Sequence, residues 1–465
     1  MWKGTLFMKY IVDTTVISPS QKDEYAYFEQ MSRMAKLLYN AALFIVRQVF
    51  TGWGKDELND NQKEVFSQLE VMKKAYPHVT ARRVLSVKTL EAVMRANSNP
   101  DFFAGLPMQT AQGVVKEAAA SFKNWLKSLK KYKYDPSGYT GRPRMPKYLK
   151  TDLHTFTISN QDAVLYPVYE DKKSRTGYRG QSLKLPFREK KIFLPHLPEG
   201  ANLREVKVKP YYGKYLLILT LEDTSLPVRE ERPFIAGIDF GVDNIAAIVS
   251  TDSSSRIYKG GAVKSGNRSF NMKRTKAVSI LTRGTDKKHA SSRHLQRLSL
   301  KRDCFMRDAL HKISTDIVRW CVEHKVGTIV MGVNKGWKQN ASMGKVNDQN
   351  FMQIPHYRLR FMIAYKAAKA GITVIEQEES YTSKADCTVK DLIPVYGKEK
   401  GKPSFSGSRI TRGLYRTKDG LVINADCNGA ANILRKAFPD AWDKVKDFRF
   451  IVSPEPVTLK KLCCA

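Results

Sequence analysis

Residues 236–250 read AGIDFGVDNIAAIVS, two short apolar strands joined by a turn, with one carboxylate, Asp239, set between Ile238 and Phe240. A carboxylate inside an apolar strand costs free energy unless something compensates it. The chemistry of the chain turns on what pairs with Asp239.

The bulk composition narrows the answer. The chain has 465 residues, enough for several domains whose cores need no covalent staples, and 79 Lys plus Arg stand against 45 Asp plus Glu, a formal charge of +34. That surplus pervades the chain instead of forming one tail, which points to a polyanionic partner over a generically basic enzyme. Neither a leader peptide nor a long apolar run is visible, so a soluble, cytoplasmic protein with no membrane partner is expected. Six cysteines, at 304, 321, 387, 427, 463 and 464, contain no C-x-x-C pair, which suits neither a disulfide framework nor a zinc ribbon.

Texture changes along the chain. A β-prone start at 5–18 gives way to helical periodicity at 21–50 and 108–133. That helical block ends in KKYKYDPSGYTGRPRMPKYLK (130–150), where Arg142, Arg144 and Lys147 are interleaved with tyrosines. Cations beside stacking faces favour nucleic acid over a plain solvated linker. Residues 152–228 break into short alternating runs, which predict a small barrel completed by the first strand. After Pro233 the pattern becomes α/β: strands at 234–240 and 244–250, a long basic helix at 291–324, a strand at 326–332, a helix at 356–370, a strand at 372–377 and a last helix at 426–437.

Candidate partners for Asp239 lie beyond the later strands. Glu376, Glu378 and Glu379 follow a buried strand, and Asp426 opens the last helix. Carboxylates gathered at strand ends and a helix start would offer hard divalent cations oxygen ligands and open positions for a phosphate. Taken singly, Asp426 reads more readily as a helix cap than as a ligand, and the glutamates as a solvated loop.

The blocks GIDFGVDN (237–244), HKIS (311–314), NKGWKQ (334–339), QNFMQIP (349–355), EESYTSKAD (378–386), SGSRITRGLYRTKDG (406–420) and INADCNGAANILRK (423–436) resemble, in order, those of the TnpB family of transposon-encoded RNA-guided DNA nucleases, related to compact type V CRISPR effectors. Upstream, YNAALFIVRQ, MQTAQGVVK and YDPSGYTGRPRMPKY are similar to the family's amino-terminal half, less specifically. The resemblance implies an α/β RNase H-like RuvC nuclease domain (230–380 and 421–444) behind a wedge β-barrel (1–18 and 152–229). A helical recognition lobe (19–151) would be inserted into the barrel, a small target-nucleic-acid-binding insert would occupy 381–420, and 445–465 would be a tail. It further implies two magnesium ions, replaceable by manganese, a guide RNA that pairs with double-stranded target DNA, and a short flanking motif checked by the protein. Asp239, Glu379 and Asp426 would be the catalytic, metal-binding carboxylates. Arg293, Arg297, Lys301 and Arg302 of the long helix would contact phosphates, and Asn40, Gln109 and Gln112 are, by rough position in the family, candidates for reading the flanking motif.

Two departures from the family pattern matter. Most relatives end the strand here written TIVMGVNKGW (328–337) with the second catalytic glutamate, where this chain has Gly332. Glu379 is expected to have taken over that role, because the strand before it should lie beside the one ending at Gly332. Between Tyr381 and Asp426 only Cys387 supplies a thiol, so no zinc is expected there and ordinary packing must hold the insert. Two rival readings are a cleavage-inactive RNA-guided DNA-binding regulator and an unguided resolvase or transposase. Retention of three carboxylates argues against the first, and the large basic region before residue 230 against the second.

Overall fold

The computed structural model describes residues 10–171, 173–223, 230–286, 290–334, 354–397 and 401–464. One compact unit is Tyr10–Asp223, and a second takes the described residues after it. No helix among the described residues is long and apolar enough to cross a membrane.

In the first unit, β1 (Tyr10–Ile17) pairs antiparallel along its whole length with β7 (Lys214–Glu222), which forms a hairpin with β6 (Leu203–Tyr211), and β2 (Phe156–Ser159) closes the order β1-β7-β6-β2. Strict alternation in β7 buries Tyr215, Leu217, Leu219 and Leu221 on one face. A second sheet is made of β3 (Val164–Asp171), β4 (Thr176–Lys184) and β5 (Ile192–Leu194). The expected single barrel is therefore two antiparallel sheets, with no ladder joining them among the described residues. The reason is local: β2 is four residues long, and the turn that follows it sends β3 to pair with β4 instead.

Four helices lie between β1 and β2: α1 (Lys22–Gly52), α2 (Asp60–Ala75), α3 (Val87–Ala96) and α4 (Met108–Tyr134). α1 buries Phe28, Met31, Ala35, Leu38 and Ala42, one stripe at helical spacing. Asn59 starts α2 with a reciprocal pair to Gln62, a complete capping box.

The second unit is built on a six-stranded sheet, β12-β11-β8-β9-β10-β16, formed by β8 (Phe234–Asp239), β9 (Asn244–Ser250), β10 (Ser254–Lys259), β11 (Val326–Val333), β12 (Thr373–Glu378) and β16 (Glu455–Val457). β8, β11 and β12 run parallel, with Ile238 opposite Met331 and Gly332 opposite Gln377. On one face α6 (Arg293–Glu323) and α7 (His356–Lys369) bury Ile313, Ile317, Leu359 and Ile363 against Ile238, Ile329 and Met331. On the other face α8 (Ala425–Ala437) packs Ala430, Ile433 and Leu434 against Val249 and Val330. α8 lies so close that a Cβ on Gly237 would stand 2.2 Å from the Ala430 carbonyl oxygen, so only glycine fits there.

Three features escaped the sequence pattern. α5 (Gly261–Thr282) precedes α6, β10 continues the hairpin of β9, and the tail's β16 adds a parallel edge strand beside β10. Between β12 and α8 stands a small three-stranded sheet of β13 (Ser408–Arg409), β14 (Leu414–Arg416) and β15 (Val422–Asn424), in which the sequence TKDG forms the expected hairpin turn. Its supports are polar. The Asp391 carboxylate accepts from the Asp386 and Ser406 amides, Asp386 accepts from the Thr388 and Lys418 amides, and the buried Tyr415 hydroxyl donates to the Lys384 carbonyl. Cys387 is buried in this frame, and its amide donates to Asn428.

Candidate active site

Alternation in the parallel strands aims the site. Ile238 and Met331 face α6 and α7, so the next residue of each strand, Asp239 and Gly332, faces α8. Both sit at the carboxyl ends of their strands, where open α/β sheets place ligands. The contacts bear this out: a Cβ on Gly429 of α8 would be 2.5 Å from Asp239 Oδ2, and a Cβ on Gly332 would be 2.5 Å from Glu379 Oε2 and 2.6 Å from Ile433 Cδ1. Glu379, one residue past β12, thus folds its carboxylate back over Gly332, into the space that any side chain at 332 would need.

Asp426 arrives from the helix start without serving as the cap. Asn424 is the N-cap, its side-chain oxygen accepting from the amides of Asp426 (3.0 Å) and Cys427 (3.1 Å). The Asp426 carboxylate instead accepts from Asn244 Nδ2 at 2.6 Å and lies 3.8 Å from the Arg409 guanidinium. Asn244 opens β9 directly after the turn that follows Asp239, so one loop supplies both a carboxylate and the amide that orients another.

The electrostatics mark a site short of compensating cations. Burial, then the neighbouring charges of Glu379 and Asp426, hold the Asp239 carboxyl well above the ordinary carboxylate range, with Arg409 opposing. Burial likewise pushes Glu379 up to about 7, against the pull of Arg360. Among the described residues neither side chain is ion-paired with a lysine or arginine. No three His, Cys, Asp or Glu side chains among those residues form a ready-made ion cage. The donor set nevertheless fits a hard divalent cation: carboxylate oxygens with uncommitted lone pairs, beside an amide that holds the third carboxylate.

The other glutamates are placed differently. Glu378 accepts from Lys436 Nζ at 2.6 Å and from the Ser380 amide at 2.6 Å, and these bonds hold its carboxyl low despite the burial that raises it. Glu376 is exposed. The loop after Glu379 is locked to α8 by buried asparagines: Asn428 Nδ2 donates to the Ala385 carbonyl (2.8 Å), and Asn432 Nδ2 to the carbonyls of Ala385 (2.7 Å) and Thr382 (2.9 Å). The blocks EESYTSKAD and INADCNGAANILRK are thus two halves of one contact.

Sequence reasoning missed Asn244, Arg409 and Arg412. Arg409 stands beside Asp426, and Arg412 pairs with Asp243 at 2.8 Å. The block SGSRITRGLYRTKDG carried both arginines, but without the hairpin nothing placed them over the carboxylates.

The basic candidates divide. Arg142, Arg144 and Lys147 are exposed on an extended strap that is tied down where Trp125 Nε1 donates to the Pro143 carbonyl (3.1 Å) and Arg47 to that of Pro146 (2.9 Å). On α6, Arg293, Arg297 and Lys301 are exposed. Among the described residues none of these six has a salt-bridge partner. Arg302 differs: its Nε donates to Asn267 of α5 at 2.8 Å and its guanidinium lies 5.1 Å from the centre of the Phe270 ring, so it ties two helices together.

The flanking-motif candidates are also engaged. Asn40 Nδ2 donates to the Leu149 carbonyl (3.1 Å) and its Oδ1 accepts from the Leu149 amide (2.8 Å), which uses the amide edge that a base would need. Gln109 bonds to Gln161, and Gln112 reaches Glu91 at 3.5 Å. The block NKGWKQ, after Asn334, and most of QNFMQIP lie outside the described residues.

Comparison with known proteins finds similarity over two stretches of the chain. A model for a probable transposase, OrfB of IS605, matches residues 219–338, and one for the Cas12f1-like TNB domain matches 356–433. The TnpB-like protein ORF457 of Acidianus two-tailed virus is 29% identical over 220 residues, 46% of this chain and 44% of that protein. The CRISPR-associated endodeoxyribonuclease Cas12f1 of Sulfoacidibacillus thermotolerans is 27% identical over 212 residues, 43% of this chain and 44% of that protein. The matched stretch thus spans less than half the length of either relative. Among solved structures, a Cas12f1–sgRNA–target DNA complex aligns over 89% of this chain and 82% of its own, at 15% identity and a TM-score of 0.48. The mini-RNA-guided endonuclease Cas_phi3 aligns over 92% of both chains, at 10% identity and a TM-score of 0.41. Residues 219–338 and 356–433 are thus similar to TnpB-like transposases and to the type V effector Cas12f1, in line with the resemblance that the motifs carry.

Proposed function

We propose that this protein is an RNA-guided DNA endonuclease that hydrolyses target DNA beside a short flanking motif, with Asp239, Glu379 and Asp426 as its catalytic carboxylates in an RNase H-like RuvC site. The observation that carries the proposal is the Glu379 carboxylate lying over Gly332, 2.5 Å from where a side chain there would start. It puts a carboxylate at the strand end that lacks one, on the same face as Asp239.

Each residue has a defined task. Asp239 and Glu379 set two carboxyl groups where burial disfavours their charge, and would hold a divalent cation in place of a proton. Asn244 fixes the rotamer of Asp426. Arg409 and Arg412 reach over the site from the insert and offer donors to a phosphate on its open side. When bound by the three carboxylates, magnesium, or manganese in its place, supplies Lewis acidity toward the phosphate and lowers the pKa of its water.

A guide RNA and double-stranded target DNA are the partners the reading requires, and the +34 charge is the matching counter-charge. The exposed strap at Arg142–Lys147 and the face of α6 at Arg293–Lys301 are proposed as phosphate contacts. The cleavage-inactive alternative is disfavoured because Glu379 restores what Gly332 removes.

The test is to purify the protein from cells expressing its flanking locus, sequence the RNA that copurifies, and challenge the particle with a matching duplex and magnesium. Cutting at a defined position supports the proposal. Binding without cutting, at any divalent cation supplied, would replace it with the regulator.

A further inference from the structure

Two residues after Glu379 the backbone does something costly. Tyr381 adopts a left-handed conformation, φ 65°, which glycine or asparagine would adopt with less strain. Strain of this kind persists where the surroundings enforce it, and it gathers at functional sites. Here the enforcement is visible: the amides of Lys384 and Ala385 donate to the Tyr381 carbonyl, and α8 clamps the Ala385 carbonyl through Asn428 and Asn432.

The conformation places the Tyr381 ring in a cluster. Its centre is 6.5 Å from Tyr396, tilted 35°, and 6.0 Å from Phe405, tilted 34°. Lys384 Nζ lies 5.6 Å from the Tyr381 ring. Such inclinations make a splayed tray, unlike the edge-to-face packing that fills the first unit's core around Phe122. The tray is open at one end: Tyr396 is 77% exposed, while Tyr381 and Phe405 are half-buried. An aromatic residue serving only as core for a small insert would be buried.

The tray is also tied to the carboxylates. Lys436, which holds Glu378, donates at 3.0 Å to the carbonyls of both Ser380 and Pro394, so the segment carrying Tyr396 is fastened beside Glu379. Aromatic faces with an adjacent cation are what an unpaired base recognises.

We propose that Tyr381, Tyr396 and Phe405 form a stacking platform for an unpaired base of the strand being cut, and that they are positioning residues which seat its phosphodiester at Asp239, Glu379 and Asp426. This rests on the nuclease reading above. The ligand is single-stranded nucleic acid next to the scissile bond, which a duplex, with its bases already stacked, would not supply.

The experiment uses the guide-loaded particle and target duplexes carrying a single abasic site at each position around the cut. In the wild type, one position or two adjacent ones should slow single-turnover cleavage about tenfold, in line with the loss of one base–aromatic stack. Tyr396→Ala should cut the intact target about tenfold more slowly, be indifferent to abasic sites at those positions, and keep its bound fraction and melting temperature. Tyr396→Phe, which retains the ring, should behave as wild type. Tyr381→Asn tolerates the left-handed backbone and removes the ring, and should repeat the Tyr396→Ala profile. Wild-type rates and abasic profile in Tyr396→Ala, or a Tyr381→Asn variant that loses only thermal stability, would overturn the platform while leaving the nuclease intact. A wild type that cuts no programmed target would overturn the nuclease reading and the platform with it.

Discussion

Gly332 and Glu379 share one volume: a side chain on Gly332 would begin 2.5 Å from Glu379 Oε2. Parallel pairing of β11 with β12 brings the two positions together, and the α8 face receives both. A glycine at 332 therefore leaves room for the carboxylate that reaches in from the next strand.

The burial of Glu379 sets a pH dependence for the metal-free protein. Its carboxyl rises from an ordinary 4.5 to about 7 in the folded chain. Below 4.5 both folded and unfolded chains hold the proton and the group contributes nothing. As pH climbs toward 7 the unfolded chain releases its proton first, so the folded state loses stability. In chelator, the melting temperature should fall between pH 4.5 and 7 more in wild type than in Glu379→Gln, and magnesium should recover the difference at pH 8. Parallel curves for the two proteins would contradict the burial.

Glu378 tests discrimination between adjacent glutamates. Its bonds to Lys436 and Ser380 give it a structural task, so Glu378→Gln should cut within about threefold of wild type while losing on the order of 1 kcal/mol in denaturant unfolding. Loss of cleavage with unchanged stability would move the catalytic role to Glu378.

Gly237→Ala should be severe. The new Cβ would stand 2.2 Å from the backbone carbonyl of Ala430, which no rotamer can relieve, so helix and sheet must part. A loss of about 3 kcal/mol or more is expected from equilibrium unfolding.

On α6 the exposed and the engaged cations should separate. Neutralising Arg293, Arg297 and Lys301 together should flatten the salt dependence of nucleic-acid binding, by roughly 0.9 in the log–log slope for each duplex phosphate that no longer meets a cation, with the melting temperature unchanged. Arg302→Ala should do the reverse, because Asn267 loses its partner. Asn40→Ala should likewise destabilise the first unit by about 1 kcal/mol or more, since it frees the Leu149 peptide that both its bonds satisfy.

What was legible in the sequence followed short-range pattern. Apolar runs with flanking turns gave β8, β9, β11 and β12, and placed Asp239 and Glu379 at strand ends. The positions that misled depend on distant partners. Nothing near Asn40 announces that a peptide at residue 149 takes its amide, and nothing near Arg302 announces Asn267. α5 escaped because it buries only Val263 and Asn267, too few residues for a stripe. β16 escaped because three residues containing a proline carry no strand signal, although a sheet edge accepts them. The barrel divided because a strand's length and its following turn decide its partner, and alternation reports neither. Tyr381 was invisible for a related reason: the left-handed turn is imposed by asparagines on a helix that arrives about fifty residues later.

If Glu379 supplies the carboxylate missing at Gly332, single-turnover cleavage at matched bound fraction will show it. Glu379→Ala should abolish cutting while leaving guide and target binding intact. Gly332→Glu combined with Glu379→Ala should restore part of it, because removal of Glu379 leaves only the flexible end of Ile433 to move aside. Cleavage by Glu379→Ala at the wild-type rate would rule out the relocated carboxylate outright.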